Sequence, residues 1–536
     1  VSVIDVRRWD GSLVTSLDQE TVDPGDFSTL LNFVYDSNGL PVTRGGRRKW
    51  NPSALQESAA DVRFRSLYHY RRGWLGIRPD SWVVAYAGTG IYKSEQDGVW
   101  DNIMTGLESN LTVSFDTLRG WLIMASDSSK HPKPYYWDGV SDSMRRLTNA
   151  PDGYIVASHA GRLWIADRDR PSYLWFSAPY EPNTWPGTSG DNGSGFLAVG
   201  PGDGNNISAL VPGFAGEMII FKDGPNGGST YRLQGFTPTT FNLSPLSSTI
   251  GAVGPRSATL VGDRDILFGS RRGLHSLNRT FQHGDLESAF IDSEIADRWR
   301  SLSLKQKLNA VAVDDFANDT WWLFLDLNSD GKNDRGVLFN YRHQNKRGNY
   351  KVSEVDFGVD AASMFERRKG GKDQLMTGGT AYSYLENNPE PNDDGTEFSW
   401  TANLHPIDGG DSLTMKAWQS WWLVYDNWGH RNATVTWFGD NRPPSTALVS
   451  LNPSSVPVPF LGGYKTTENR MTPGILRSSN LVHLREGGVS INLGLSGTGG
   501  RVRLRGMRLN VSPGREDVQA NQWMPYDESR RAAVYE

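Results

Sequence analysis

The sequence predicts an all-β protein: a β-propeller of six or seven blades followed by a C-terminal antiparallel β-sandwich, with an extended N-terminal arm. Three observations lead there. With 58 glycines and 28 prolines among 536 residues, the chain is punctuated too often for long helices. Hairpin-like units, each an apolar run, a polar turn and a second run carrying an aromatic residue, return about every 40 to 60 residues. Beyond residue 411 the pattern changes to strands in which apolar and polar residues alternate.

Residues 1–58 hold one strand-like pair, Thr29 to Asp36 and Leu40 to Trp50, within irregular chain. They read as an arm whose strand completes the final blade. Residues 59–411 contain seven hairpin-like segments: Ser81 to Gly98, Gly120 to Val140, Gly161 to Pro179, Glu217 to Gly235, Arg264 to Asn278, Thr320 to Arg342 and Asp373 to Asn387. A blade that is apolar on both faces is stable only between neighbours, so the repeats imply a radial stack. A row of successive sandwiches is the competing reading of the same spacing. Residues 412–515 supply four alternating strands: Ser412 to Asp426, Ala433 to Asp440, Asn480 to Gly497 and Arg501 to Gly514. Between the second and third lies a Pro-rich excursion, 441–475, which a central strand cannot hold because proline lacks the ladder donor. Residues 516–536 form a C-terminal tail.

Composition removes several function classes. The absence of cysteine excludes disulfides, thiolate metal sites and cysteine nucleophiles. Fifty-five basic and 60 acidic side chains give a net charge of −5, so no global field draws the molecule onto nucleic acid or an anionic membrane. The opening residues lack the apolar core of a signal peptide, and no run suits a membrane span. A soluble protein made in a cytoplasm, without a membrane anchor, is the expectation.

The stretch Gly11 to Trp50 is similar to the opening of many tailed-bacteriophage tail and neck proteins: a Gly-rich start, an acidic turn, Leu-Asn before a strand, and an arginine-glycine end. Gly195 to Asn278 resembles the central blades of β-propeller virion proteins of the same kind. Four features recur there in order: a DGxxI turn (Asp203 to Ile207), an IxFK strand (Ile219 to Lys222), a YxLxG strand (Tyr231 to Gly235) and a DxxxFxSxxG hairpin (Asp265 to Gly273, with Gly269 preceding the expected serine). The resemblance implies a non-enzymatic structural subunit of a virion tail. Such a subunit forms a homo-oligomeric ring, often a hexamer, at the nozzle, hub or neck. Its implied partners are copies of itself, neighbouring tail or neck proteins, and DNA passing through the channel. The alternatives are a host-receptor or glycan-binding tail protein and, behind it, a glycan-cleaving propeller.

Candidate chemistry is sparse. Asp326, Asn328, Asp330 and Asp334 lie between two apolar runs, and their alternation, followed by Gly331, matches the front of a calcium loop. Position 12 of such a loop is Val337 instead of a bidentate glutamate, so a hairpin turn with local side-chain bonds competes with calcium. No other cofactor is implied. The best basic segments hold Arg44, Arg47 and Arg48 in one place and Arg501, Arg503 and Arg505 on one face of a strand in another. They read either as a solvated face or as contacts to a neighbouring ring or to DNA phosphates. Ser94 to Trp100 resembles a sialidase Asp-box with its spacing off by one, a folding feature in any case. Elsewhere the arginines occur mainly as adjacent pairs, and no spacing marks three that converge. The nine histidines are scattered, and no GxSxG elbow or phosphate loop occurs, so no catalytic residues are assigned. Trp321-Trp322, Trp418, Trp421-Trp422 and Trp428 suggest a core or subunit interface, with a sugar platform as the alternative.

Overall fold

The computed structural model describes residues 2–6, 9, 11–17, 22–72, 81–186, 193–225, 227–262, 265–283, 290–366, 372–410, 413–427, 432–440, 443–450 and 476–513. Among them strands dominate, and the helices are short, as the density of Gly and Pro requires. The C-terminal tail, Trp428 and most of the 441–475 excursion lie outside the described residues; its described part contains the strand Ser445–Ser450.

Small antiparallel sheets follow one another from Phe64 to Asn388. Their first strands are Phe64–Arg71, Val113–Leu118, Gly153–His159, Asn206–Phe214, Ala258–Val261, Val311–Asp315 and Ala361–Glu366. Within each sheet the strands pair in chain order. The second strands explain why no sheet stands alone. Ser81–Ala87 and Thr320–Leu325 are buried along their whole length, so both faces need cover.

Neighbouring sheets supply that cover. Tyr70, Trp82 and Ile91 of the first sheet pack on Leu122, Met124 and Trp137 of the second. Ile123 and Leu147 then meet Val156 and Ile165, and Trp164 and Leu174 meet Met218 and Ile220. Ile219 and Phe221 meet Ile266 and Phe268; Leu267 and Leu274 share a core with Trp321 and Leu323. Trp322 and Phe324 meet Leu375, and Phe365 and Met376 of the seventh sheet return to Phe64 and Val83 of the first. The first strands also touch in succession, and the seventh touches the first. This cyclic order gives the chain its β-propeller character.

Five strands of the N-terminal arm fasten the rest: β1 (Ser2–Val6), β2 (Phe27–Leu31), β3 (Phe33–Tyr35), β4 (Pro41–Thr43) and β5 (Gly46–Lys49). β5 pairs antiparallel with Ser383–Asn388 and becomes the fourth strand of the seventh sheet. The approach is close: a Cβ on Gly46 would lie 2.0 Å from the Asn392 carbonyl oxygen, so only glycine fits there.

The remaining arm strands join two sheets built largely from the C-terminal part. In one, β2 pairs with Ser399–Leu404, which pairs with Ile491–Thr498, then Asn432–Gly439 and Ser445–Ser450. A single parallel pair, Leu31 with Glu354, links β2 to the sixth sheet of the cycle. In the other, Val502–Pro513 pairs with Lys416–Asn427, β4 and β1, and Lys416–Asn427 also pairs with Leu476–Gly488. Trp400, Val435, Leu493, Trp421, Leu504 and Leu509 lie in the core these sheets share with the fifth and sixth sheets. The C-terminal sheets therefore begin before residue 412. Ser399–Leu404 buries Trp400, Ala402 and Leu404 at every second position, the pattern of a half-buried strand.

Candidate functional site

The six arginines singled out from sequence fall in two places, on the arm and on the strand Val502–Pro513 with the residue before it. Arg44 stands between β4 and β5, where the chain crosses from a C-terminal sheet to the seventh sheet. Its side chain is 1% exposed. The guanidinium makes paired bonds of 2.8 and 2.7 Å to Asp393, and its Nε donates to the Asn32 carboxamide oxygen at 2.9 Å. The Phe398 ring lies 3.9 Å beneath it. Two parallel N–H to oxygen bonds plus an aromatic face use the planarity of arginine in full. Arg47 repeats the arrangement: its Nε donates to Glu386 at 2.9 Å, and its guanidinium covers Phe357 at 3.8 Å and Tyr384 at 4.3 Å. Arg48 alone of these three is exposed, as β5 turns successive side chains to opposite faces.

Arg503 and Arg505 do share one strand face, and that face meets carboxylates. Asp426, fully buried on the neighbouring strand, accepts from Arg505 Nε at 2.6 Å and from Arg503 at 3.4 Å. The other end of Arg503 reaches Asp36, in the turn between β3 and β4, at 2.8 Å. Arg501 is exposed. Arg44, Arg47, Arg503 and Arg505 thus meet carboxylates inside the chain, and Arg48 and Arg501 are the most exposed of the six. Sequence reasoning missed the acidic halves of these pairs. Asp393 lies 349 positions from Arg44, so no local spacing could have announced it.

The Asp326 turn closes the hairpin between Thr320–Leu325 and Arg335–Gln344. Its oxygens cap local backbone: Asp326 accepts from Gly331 N–H at 2.9 Å, Asp330 from Lys332 N–H at 2.8 Å, and Asp334 from Leu327 N–H at 2.9 Å. Asn328 and Asp330 point to solvent, while Asp326 is buried, so the four do not converge on one centre. Among the described residues no group of three or more His, Asp or Glu side chains is placed to hold a metal.

At Ser94 to Trp100, Asp97 accepts from Val99 N–H at 3.0 Å and Trp100 packs against Phe64, which makes the segment a blade turn. Trp321, Trp322, Trp418 and Trp421 are buried; Trp422 is 38% exposed. One buried polar pair has catalytic composition: Ser270 Oγ lies 2.8 Å from His275 Nε2. Burial, with Arg272 and Arg300 nearby, pushes His275 down to about 3. Both side chains are sealed from solvent, and Ser270 caps its own turn by accepting from the Arg272 and Gly273 N–H groups. Among the described residues the pair therefore acts as a turn clamp.

No protein-family model and no curated protein sequence matches the chain. Solved structures resemble it distantly. YCF48 from Cyanidioschyzon merolae aligns over 64% of this chain and 99% of its own at 10% identity, with a TM-score of 0.37. The Cps50 (Swd1) β-propeller domain of Myceliophteria thermophila aligns over 63% and 99% at 12% identity, with a TM-score of 0.36. Virginiamycin B lyase from Staphylococcus aureus aligns over 62% and 98% at 11% identity, with a TM-score of 0.37. The cyclic order of sheets rests on the ladders and cores described above. Among the described residues no helix is long and apolar enough to cross a membrane.

Proposed function

We propose that this chain is a structural subunit of a bacteriophage tail, a seven-bladed β-propeller bearing a two-sheet sandwich, which assembles into a closed homo-oligomeric ring around the DNA channel. The observation that carries the reading is the arm. Five strands from the first 49 residues enter three separate sheets, and the Arg44–Asp393 pair fastens the crossing into the seventh sheet, so the arm ties the propeller to the C-terminal sheets. A tie of that kind suits a part that transmits load between neighbouring rings. The order of motifs from Gly195 to Asn278, similar to that of propeller virion proteins, points the same way.

A ring needs a heterologous surface that closes after a fixed rotation. The outer side of the sandwich offers one: Trp422 and Leu481 sit opposite each other across a strand pair at 38% and 40% exposure, with Leu448 at 70% on the other sheet. Exposed apolar side chains of this size are typical of subunit contacts. Of the six arginines, Arg48 and Arg501 have the most surface to offer a neighbouring ring or DNA. Six copies is the order the resemblance implies.

Electron microscopy of purified protein and of the particle tests the proposal. The expected image is axial density with closed rotational symmetry containing one copy of this chain per repeat. Peripheral fibres bearing the chain, or particles without it, would overturn the reading and favour a receptor-binding or unrelated role.

A further inference from the structure

The starts of the first strands gather at one mouth of the axis around which the seven sheets are arranged. Arg63 and Arg65 come from the first sheet, Asn110 from just before the second, Arg256 from just before the fifth, Leu308 from before the sixth and Asp360 from before the seventh. Arg256 reaches across the mouth: its Nη1 donates to the carbonyl oxygens of Arg65 at 3.3 Å and Asp360 at 3.4 Å, and its Nη2 to that of Leu308 at 3.3 Å. Arg256 is thereby held against the backbone of Arg65, 191 positions away in sequence, which no spacing in the chain foretold.

Their charges are not balanced. Asp360 forms an ion pair with Arg63, and its second oxygen accepts from Asn333 N–H at 3.1 Å, so that carboxylate is fully used. Arg63 also donates to the Gly331 carbonyl at 2.8 Å. Arg65, 8% exposed, has one side-chain partner, the carboxamide oxygen of Asn110 at 2.8 Å. Asn110 holds that position with φ at +66°, a left-handed conformation that a non-glycine residue adopts at a cost. The Nε atoms of Arg65 and Arg256 are shielded from solvent and donate to nothing. Burial together with mutual repulsion weakens the hold of both groups on their protons; Arg256 is pushed down to about 10. Asp127 adds a second negative charge near Arg256 and accepts from Thr112 N–H at 2.9 Å, which leaves three guanidinium groups facing two carboxylates. A cavity of about 410 Å³ opens next to Arg256, walled by the adjoining Gly254 and Pro255, by Leu308, whose carbonyl oxygen Arg256 meets, and by Asp127 and Asp223.

A desolvated cluster of like charges with two idle donors is costly unless an anion completes it. We propose that this axial mouth binds a small oxyanion, a carboxylate or a phosphate, between Arg65 and Arg256, with Arg63 and Asp360 fixing the frame. Guanidinium forks suit flat carboxylates and phosphate edges better than they suit a spherical halide. The site is independent of the ring-forming surface, which lies on the sandwich.

Thermal melting and calorimetry on the full chain test it, with inorganic phosphate and acetate as probes and sodium chloride at matched ionic strength as control. An anion at about 100 times its Kd is expected to raise Tm by roughly 2–5 °C, saturably, where chloride does not. Response to phosphate alone assigns a phosphate site, to acetate alone a carboxylate site, and to both a general oxyanion site. Arg256→Gln and Arg65→Gln should each weaken binding about tenfold or more, whereas Arg256→Lys keeps the charge and part of the affinity. A shift that tracks ionic strength alone, or calorimetry with no saturable heat on the unaltered protein, overturns the proposal even if a variant fails to fold. Unchanged affinity in both glutamine variants overturns it as well.

Discussion

Arg44 shows how a charge can be read correctly in kind and wrongly in place. Its basic neighbourhood was plain in the sequence, but its carboxylate lies hundreds of residues away, and only the fold brings Asp393 to it. Removing one partner of such a buried pair leaves the other unsatisfied, so Arg44→Ala should lower stability by about 3–5 kcal/mol. Arg48→Ala, on the exposed side of the following strand β5, should stay within about 0.5 kcal/mol. Urea midpoints of the two variants check the contrast. Buried carboxylates give a second residue-scale expectation. Burial pushes Asp315 and Asp292 up to about 6, above the ordinary 3.8. The folded protein then holds protons that the unfolded chain releases. Each group's contribution is complete below about pH 4 and is lost as pH rises through about 6. Asp315→Asn should therefore flatten the decline in urea midpoint between pH 4 and 6 relative to the unaltered protein. His275, lowered by burial, acts with the opposite sign below pH 6.5 in both proteins and cancels in that comparison.

At the scale of elements, hairpins and their turns were legible because each is a local event: an apolar strand, a polar or glycine-bearing turn, and an aromatic partner strand. Trp321 and Trp322 illustrate the two-faced strand. Adjacent on one strand, they enter different cores, one shared with the fifth sheet and one with the seventh. The fifth sheet was less legible. It has three strands, after which the chain enters the helix Leu277–His283, and a single bridge from His275 to Phe290 stands beside the third. Strand β5 carries the sharpest prediction here. Gly46→Val would drive a side chain into the Asn392 and Glu390 carbonyls, so β5 should leave the seventh sheet. Hydrogen exchange is the measurement: amides of Ser383–Asn388 should lose protection while those of the third sheet keep theirs.

For the whole molecule, the sequence distinguished a radial stack from the C-terminal sheets but placed the border too cleanly. Two facts were hidden: Ser399–Leu404 belongs with the C-terminal sheets, and arm strands complete those sheets, because both are pairings between distant segments with no local signature. Assembly gives the test at this scale. If the exposed face around Trp422 and Leu481 joins copies into the proposed ring, Leu481→Glu should leave monomers without shifting the monomer's melting temperature by more than about 2 °C. Sedimentation velocity reads the mass. Persistence of the full ring would exclude this surface and turn attention to the propeller rim.

The pairing of Lys49 with Tyr384 also sets a timetable for synthesis. The N-terminal partner leaves the ribosome first and must wait for 335 further residues, roughly 20 to 70 s at ordinary elongation rates. Throughout that interval β5 lacks its partner in the seventh sheet, and its edge is open to wrong pairing. The hydrogen bonds of that pair can form only when the earlier-made strand has been kept from pairing elsewhere, which makes the delay between birth and closure the vulnerable period of this molecule's life.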